Sequence, residues 1–551
     1  MNNFRRLQPA SQGRLLLYAY YELMFGSRKK AALEKLRSEW GKKKDAPLNV
    51  YQVARFHARR EHAEGVHVLS EKTIAALDFS ELFAFLDRTV SRVGQQWLFS
   101  RLASYGPNED VDEFERVIKY AADHEQRRLE AQVALTRLQH ENAYGLSALF
   151  FNPNPKPPRV LPLLKLQAVL SVILFIGTLF QSALFIPLIA LLAINTMLHY
   201  YYKSFIQQYS LAMDQLVLLT ATVTELQPLS FPYRRIEAVG EALKSVREIA
   251  KSWTILGGSP GGGSDVTELS WLIREYIKII FFVEPVLFFS VIKKLANRKE
   301  DVRILFEYAG FIDGCISVLA VRQSSTNCIP TRVSAEKGAV TVDGMFHPLI
   351  SNCRPNSWGG DNRSMLITGS NMSGKSAFIR TVAINILCSH TINTAFATSF
   401  SSSYFKLFAI MNIADDLLGG KSYYMEEVLS IQELVRRSEQ DSQCLFLLDE
   451  IYRGTNTTER IAAAYAVLKY LNKKNIAIAA THDSELTTLL ADGYDMYHFS
   501  ETLDHEGLSF DYILKKGKLK HGNAIRILEF NGYPSEIIQL ALSQSEKSNQ
   551  H

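Results

Sequence analysis

The spacing of hydrophobic and polar residues changes along the chain, and this change predicts two kinds of structure. Up to about residue 335, apolar residues mostly recur at helical spacing, as at Leu82, Phe85 and Leu86. From Gly338 onward, short β-branched runs alternate with helical ones, which is typical of an α/β sheet. We therefore predict a mainly α-helical region followed by an α/β domain.

One apolar stretch, residues 161–202, departs from both patterns. No charged side chain lies between Lys165 and His199, and each half of the stretch approaches the ~20 residues that a helix needs to cross a bilayer. A pair of transmembrane helices turning near Gln181–Ser182 fits this pattern, and a buried hairpin in a soluble core is the alternative. Basic flanking residues place both ends on the cytoplasmic side of the cell membrane. We expect a multi-pass protein that contacts lipid through 161–202 and keeps its α/β domain in the cytoplasm.

These patterns divide the chain into four parts. We predict a basic arm with the first part of a helical core (1–160), the apolar hairpin (161–202), a helical return containing a glycine-rich linker at 257–264 (203–335), and the α/β domain (336–551). A further apolar segment begins at Tyr276, but Lys278, Glu284 and Pro285 interrupt it. For that segment we favour a core or interfacial helix over a third span.

Charge is distributed unevenly. The net charge is +5, yet residues 1–60 alone carry 14 Lys/Arg against 4 Asp/Glu, a balance of +10, so the remainder carries −5. Such an arm could bind nucleic acid or anionic lipid, and the alternative is a charged helix face that is simply exposed to solvent. The five cysteines form no C-x-x-C pair, so neither a zinc ribbon nor a disulfide framework is indicated.

The strongest chemical signal is the stretch GSNMSGKS, which follows a short apolar run and precedes a helical pattern. Its spacing, G-x-x-x-x-G-K-[ST], is that of a phosphate-binding loop, in which backbone N–H groups and the helix N-terminus attract phosphate oxygens. Lys375 suits the β- and γ-phosphates of ATP, and Ser376 suits Mg²⁺. The predicted nucleotide-binding residues of the loop are Gly369, Ser370, Asn371, Met372, Ser373, Gly374, Lys375 and Ser376.

Two later apolar runs end in residues suited to the same chemistry. The run CLFLLDE ends in Asp449 and Glu450; we predict that the first is a Mg²⁺ ligand and that the second is the base for the attacking water. The next run ends in His482, which suits a contact with the γ-phosphate or that water, although a lone histidine is more often structural. Between the runs, a Gly-Gly pair followed by Lys421 and Ser422 suits a loop that caps a nucleotide bound by another subunit.

These motifs, in their order, resemble the ATPase domain of the MutS mismatch-repair family. The matching stretches are TGSNMSGKS, DDLLGGKSYYMEE, LLDEIYRGTNT and ATHDSEL, with FHPLI ahead of them and HGNAIRILEFNGYP after them. LDRTVSRVGQQWLFSRL and AGFIDGCISVLA resemble the entry into the family's core domain and the place where its lever helices rejoin that core.

The resemblance implies an ABC-type ATPase that works as a homodimer, with each ATP and its Mg²⁺ held between two subunits. It places Ser422 in the signature loop that completes the partner's site, makes Asp449 and Glu450 metal ligand and catalytic base, and makes His482 the switch histidine. Asn371 falls on the family's phosphate-loop asparagine. Double-stranded DNA, mismatched or otherwise non-standard, is the implied ligand.

The sequence also departs from the family. Tyr452 stands where the family has glycine, and Glu459 and Arg460 replace an Asp-Gly pair in the following loop. We recognise no mismatch-reading domain, so we expect a membrane-anchored variant that lacks it. Two hypotheses follow: an ATP-controlled dimer that binds DNA, or a membrane-bound ATP switch that binds a protein partner and no longer binds DNA. A transporter ranks third, because the sequence has no LSGGQ-type signature.

Overall fold

The computed structural model describes residues 30–45, 47–107, 111–153, 160–255, 276–334, 338–361, 363–370, 372–411, 423–504, 507–519, 528 and 531–548. Several predicted features lie outside these residues: most of the basic arm, the glycine-rich linker at 257–264, and the loop residues Asn371 and Ser422. The described chain divides into two compact units, one comprising residues 1–61, 87–100 and 112–320 and the other residues 62–86, 101–111 and 321–551.

The first unit is helical. Residues 30–38 and 276–280 are helical, and the remaining α-helices are Val50–Ala54, Arg92–Ala103, Val111–Asp123, Glu125–Leu135, Ala148–Phe151, Leu161–Gly177, Phe185–Leu226, Ile236–Ile255, Val283–Ala296 and Lys299–Ser324. Short 3-10 turns occupy His57–Arg59, Thr136–Leu138, Glu141–Ser147, Ser182–Leu184 and Gln227–Leu229. The predicted helical region is thus confirmed.

The helix Lys299–Ser324 forms the core of this unit. It is long and apolar enough to cross a membrane, but 89% of its apolar window is buried. The Trp97 ring lies against Gly310 and Gly314, where an added Cβ would come within 2.5 and 2.6 Å of the ring or its Cβ. One carboxylate oxygen of Asp313 accepts the Val90 N–H (3.0 Å) and the other accepts the Ser91 N–H (2.8 Å). Two motifs far apart in the sequence therefore form one packed junction.

The apolar hairpin extends from this unit as two long helices. Leu161–Gly177 is followed by a turn and by Phe185–Leu226, a helix of 42 residues, so the chain reverses beside the predicted turn at Gln181–Ser182. Within Ser182–Lys203, which is long and apolar enough to cross a membrane, only 17% of the apolar window is buried. Along both arms large apolar side chains are exposed, among them Leu166 (65%), Ile173 (59%), Ile186 (78%) and Ile189 (63%).

The segment after residue 276 packs on the hairpin. Its helix breaks at Phe281–Phe282, where Phe282 has φ +50°. The Ile280 carbonyl beside the break accepts a hydrogen bond from Asn195 Nδ2 (2.8 Å), and the same amide nitrogen reaches Ser171 Oγ (3.0 Å). Because a buried carbonyl without a partner is costly among apolar side chains, the hydrogen bond from Asn195 offsets part of the cost of the helix break.

The second unit is built on a six-stranded sheet. Its strands are β1 (Ser364–Thr368), β2 (Lys406–Ile410), β3 (Cys444–Asp449), β4 (Ile476–Thr481), β5 (Tyr494–His498) and β6 (Lys515–Lys516), in the spatial order β2-β3-β4-β1-β5-β6. The first five are parallel and β6 pairs antiparallel with β5. The predicted α/β sheet is confirmed.

Helices and small sheets complete this unit. The helices are Glu71–Ala76, Phe79–Leu86, Lys375–Ile392, Tyr423–Gln440, Thr457–Leu471, Leu486–Leu489 and Ser535–Ser548. A four-stranded sheet contains Val333–Ser334, Ser399–Ser403, Ala339–Met345 and Asn356–Asp361. Three two-stranded sheets pair His67–Val68 with Ser104–Tyr105, Cys328–Pro330 with Thr394–Phe396, and Glu501–Asp504 with Gly507–Phe510.

Side chains from the early part of the chain cover the edge strand β2. The Tyr105 hydroxyl donates to the Phe405 carbonyl (3.0 Å) and accepts the Leu407 N–H (3.1 Å). His67 Nε2 donates to the Leu407 carbonyl (2.9 Å), and burial lowers the pKa of His67 to about 4, which keeps the ring neutral. Exposed edge groups invite pairing with another chain, so these side chains protect the sheet.

Candidate active site

The phosphate loop lies between β1 and the helix Lys375–Ile392. Gly369 has φ +153° and Gly374 has φ +109°, backbone conformations that favour glycine. A Cβ at Gly369 would also lie 2.8 Å from the Phe499 carbonyl oxygen, on the segment that follows β5. The loop can therefore curl tightly because glycine occupies both of these positions.

Lys375 lies in the middle of the site and is only 4% exposed. Its Nζ donates to the carbonyl oxygens of Gly369 (2.8 Å) and Ser370 (2.9 Å), and it lies 3.4 Å from His482 Nε2 and 3.9 Å from Glu450 Oε1. Burial lowers the pKa of Lys375, and the nearby acidic side chains partly oppose this shift. The ammonium group thus meets the residues that follow β3 and β4.

The remaining loop residues hold the loop or line the space beside it. Ser370 donates to the Glu501 carboxylate, and Ser373 Oγ donates to the Ser370 carbonyl (2.8 Å). Met372 is 82% exposed and has φ +68°. Ser376, in the first helical turn, lines the adjacent cleft. Its position at the start of the helix is the one predicted for a metal-binding hydroxyl.

The two predicted acidic residues lie where β3 ends. Asp449 is the last residue of the strand and Glu450 adopts φ +51°, with its N–H donating to the Ala480 carbonyl on β4 (3.0 Å). Glu450 Oε1 lies 2.6 Å from His482 Nε2, and Arg453 forms an ion pair with the other carboxylate oxygen. The sheet order explains this cluster, since β4 lies between β3 and β1 and the three carboxyl ends share one edge.

The surrounding charges keep Glu450 ionised. Burial alone would raise the pKa of this carboxyl, but the hydrogen bond from His482 and the positive charges of Arg453 and Lys375 bring its pKa below the ordinary value. A general base must be unprotonated to accept a proton. Glu450 is therefore in the form its predicted role requires at neutral pH.

Asp449 has the features of a metal ligand. It is 8% exposed, and its Oδ1 is buried without a hydrogen-bond partner among the residues the structure describes. A buried carboxylate oxygen normally has a partner, and a bound cation would supply one. Among the described residues, no group of three or more His, Cys, Asp or Glu side chains is arranged to hold a metal ion by itself. One carboxylate and the Ser376 hydroxyl, completed by phosphate oxygens and water, would form a ligand set of the kind that Mg²⁺ prefers.

A cleft of about 570 Å³ opens beside the loop. Helix residues Lys375, Ser376 and Phe378, the catalytic candidate Glu450 and its ion-pair partner Arg453 line one part of it. The remaining lining residues are Met345, Ile350, Ser351, Asn352, Cys353, Arg354, Asn356, Ser370, Met372, Gly374, Ala377, Thr381, Phe499 and Tyr512. Its volume is in the range of small-molecule sites, and its wall carries both apolar and polar groups.

The structure adds two residues that the sequence analysis did not single out. Arg453 forms an ion pair with Glu450, and it lies within LLDEIYRGTNT, a stretch that resembles the family. Glu427, on the helix Tyr423–Gln440, accepts the backbone N–H of Tyr452, and the N–H groups of Arg453 and Gly454 also lower its pKa against the raising effect of burial. One carboxylate thus fastens the turn that follows the catalytic base.

The departures from the family pattern have structural counterparts. Tyr452 keeps φ +64°, a conformation that suits the glycine it replaces, and its ring is buried beside Tyr424. Arg460 forms two hydrogen bonds with Asp483, Nε to Oδ2 (2.9 Å) and Nη2 to Oδ1 (2.6 Å). Asp483 directly follows His482, so this ion pair ties the histidine's loop to the helix Thr457–Leu471.

The parallel sheet, the glycine loop with its buried lysine, and the acidic pair at the next strand end define a P-loop ATPase fold. Residues 365–548 match the sequence model of the family described as MutS domain V. Similar proteins include DNA mismatch repair protein MutS of Clostridium perfringens, 27% identical over 46% of this chain and 29% of that protein. Others are MutS of Aquifex pyrophilus, 33% identical over 35% and 24%, and DNA mismatch repair protein MSH3 of Candida albicans, 27% identical over 50% and 29%.

Residues 365–548 are thus similar to domain V of the MutS family, which confirms the resemblance seen in the sequence. The chain matches only about 30% of the length of the relatives aligned with it, as the 29%, 30% and 31% coverage of three of them illustrates. The roles of the individual site residues stay predictions.

We predict that the Arg460–Asp483 ion pair supports turnover by positioning His482. Arg460→Gln or Asp483→Asn should lower kcat for ATP about three- to tenfold with little change in KM, because the loop is loosened without removing a phosphate ligand. Steady-state ATP hydrolysis measures this. The reversed pair Arg460→Asp/Asp483→Arg should recover part of the loss.

The matched control is Arg363→Gln, which removes an ion pair of the same kind with Asp495 (2.7 Å) elsewhere in the unit. Unchanged kcat in both single variants would refute the positioning role. Equal losses in the Arg363 variant would attribute the effect to general destabilisation.

Proposed function

We propose that this chain binds and hydrolyses ATP with Mg²⁺ at the site around Lys375. The observation that carries the proposal is the convergence of Lys375, Glu450 and His482 within 4 Å of one another, beside a buried Asp449 oxygen that has no partner in the described part of the chain. These groups follow the ends of three separate strands. A glycine-rich loop that matched the phosphate-loop spacing by chance would not be expected to lie beside both of the other groups.

The residues have distinct tasks in the proposed reaction. Lys375 and the loop N–H groups bind the β- and γ-phosphates, while Glu450 orients the attacking water and accepts its proton. His482, bonded to Glu450, fixes the orientation of that carboxylate and contacts the γ-phosphate side of the site. When bound by Ser376 and Asp449, Mg²⁺ neutralises phosphate charge. Ser422 completes the partner's site in a homodimer, as the family resemblance implies.

We further propose that the ATP-controlled dimer binds double-stranded DNA, including mismatched or otherwise non-standard DNA. The support is the similarity to this family, since the relatives named above are DNA mismatch repair proteins, together with the basic balance of residues 1–60. The second candidate is a membrane-bound ATP switch for a protein partner. The exposed apolar surface of the hairpin favours that candidate.

We propose that the hairpin 161–202 anchors the protein in the cell membrane with both flanks and the ATPase domain in the cytoplasm. The exposed apolar side chains of its two arms support this, because a contiguous apolar surface of this extent is unusual in contact with water. Inside the bundle, Asn195, Ser171 and the Ile280 carbonyl satisfy one another, as lipid-embedded helices require.

Two variants test the ATPase assignment. Lys375→Ala should abolish tight ATP binding, because the phosphates lose their buried cation. Glu450→Gln should keep ATP binding but lower kcat about 10²- to 10⁴-fold, because an amide cannot accept the proton. It should also trap an ATP-bound dimer, which size-exclusion chromatography with light scattering in detergent measures. Glu433→Gln, on an exposed helix face, is the control. Wild-type turnover by Glu450→Gln would disprove the assignment of the base.

The DNA proposal predicts that ATP turnover responds to DNA. In detergent or lipid, duplex, mismatched or branched DNA should change kcat or KM, and the logarithm of DNA affinity should fall linearly with the logarithm of salt concentration. The structure that changes the rate most identifies the preferred ligand. An unchanged rate with every DNA, together with a stable protein partner in detergent purification, would favour the switch.

The membrane proposal predicts that the protein stays with isolated membranes through a high-salt wash and leaves them only with detergent. Placing lysines in the apolar surface, as in Leu166→Lys/Ile189→Lys, should release it, because each buried charge costs about 2.5–3.5 kcal/mol near the bilayer centre. Glu241→Lys, at an exposed position on Ile236–Ile255, adds positive charge outside the hairpin and should stay bound. Release of the unaltered protein by salt would identify the hairpin as part of a soluble core.

A further inference from the structure

The helical unit contains a second cleft, of about 470 Å³, which shares no lining residue with the cleft beside the phosphate loop. It is lined by residues 35–36 and 39–45, by residues 88–92, and by Gln132, Gln139 and Ala320, all within one unit. Its lining carries six cationic side chains, those of Lys35, Lys42, Lys43, Lys44, Arg88 and Arg92, against the two carboxylates of Glu39 and Asp45. The lining therefore has a formal charge of +4.

Part of this positive charge is not neutralised by the described protein. Lys35 pairs with Glu39 (3.8 Å) and Lys44 with Asp87 (2.7 Å). By contrast, Arg92 has no carboxylate within 4.0 Å among the described residues. Its Nε donates to the Gln139 carbonyl (3.0 Å) and its Nη1 to the Gln95 amide oxygen (3.2 Å), both uncharged acceptors. The guanidinium is thus fixed in place while its charge stays available.

Two of the lining cations, Arg88 and Lys42, differ in their contacts with the protein. Arg88 Nε donates to the Gly41 carbonyl (3.2 Å), which ties the lysine-rich segment 42–44 to the residues just before the helix Arg92–Ala103. Lys42 itself is exposed, and its ammonium makes no hydrogen bond or ion pair with the residues described. The cleft is therefore lined by a guanidinium that is held by hydrogen bonds and by an exposed ammonium that makes no side-chain contact of this kind with the residues described.

An uncharged group in the wall independently indicates a ligand. Gln132 lines the cleft and is only 4% exposed, yet its Oε1 is buried and has no hydrogen-bond partner in the described residues. Leaving a buried amide oxygen unbonded costs about 1–3 kcal/mol. A ligand that combines negative charge with a hydroxyl or amino donor would remove this cost and satisfy the cations as well.

We infer that this cleft binds a small soluble molecule that carries at least two phosphate groups and a hydrogen-bond donor. Arg92 would bind one phosphate through its fixed guanidinium plane, Lys42 would bind another, and Gln132 would accept from the donor. The concave shape and a volume within the range of nucleotide-sized sites favour a small molecule over a nucleic-acid duplex, whose phosphates are contacted over a long surface. This site is separate from the ATP site and does not depend on ATP hydrolysis.

Titration of the full-length protein in detergent tests this inference, with inorganic pyrophosphate as the probe. Lys375→Ala is used as the background so that the phosphate loop does not contribute. We expect isothermal calorimetry to detect saturable binding that weakens as salt is added. Lys42→Glu should weaken it about tenfold or more, since it reverses one charge beside the anion. Arg92→Lys should also weaken binding, because the ammonium lacks the fixed plane.

The control is Lys251→Glu, which makes the same charge change at an exposed position on the helix Ile236–Ile255 and should leave binding unchanged. Equal loss in the control would reduce the effect to overall charge and overturn the inference. No saturable binding of pyrophosphate would also overturn it. Binding of a short duplex DNA or of anionic vesicles that depends on Lys42, with none of pyrophosphate, would assign the cleft to a macromolecular surface instead.

Discussion

The candidate site depends on the compensation of two adjacent buried acids. Asp449 ends an entirely buried strand and Glu450 follows it, and each negative charge placed there would be unfavourable without nearby positive groups. Lys375 and Arg453 provide positive charge for Glu450 and His482 provides a hydrogen bond, and these three residues come from different places in the chain. The unpartnered oxygen of Asp449 leaves one position for a cation. The electrostatic requirement therefore links the phosphate loop, the predicted metal ligand and the predicted catalytic base.

The same requirement explains why the surrounding turn is so constrained. Glu450 and Tyr452 both have positive φ, and the turn is fastened by Glu427 from one helix while Arg460 fastens the adjoining histidine loop to another. Non-glycine residues in this conformation cost of order 1–3 kcal/mol each and persist where neighbouring contacts hold them. In this chain, packing of the buried Tyr452 ring holds a backbone conformation that glycine would adopt without steric cost.

The sequence was sufficient for the features that depend on local order. Alternating apolar runs predicted the sheet, and the G-x-x-x-x-G-K-S spacing predicted the loop, because both are encoded by consecutive residues. It was not sufficient for the contact between Glu427 and Tyr452, which are 25 residues apart, or for the ion pair between Arg460 and Asp483, which are 23 residues apart. Nor does periodicity indicate that His67 and Tyr105 cover strand β2. Such pairings depend on which surfaces meet, and a single sequence does not report that.

The covering of β2 also sets an order of events during synthesis. His67 and Leu407 are 340 residues apart, so at about 5–20 residues per second the ribosome makes the covering segment roughly 20 to 70 seconds before the strand it protects. Throughout that interval the apolar side chains of residues 67–105 have no sheet to pack on, while the hairpin between them is emerging. We expect the nascent chain to need a chaperone before the second unit can fold completely.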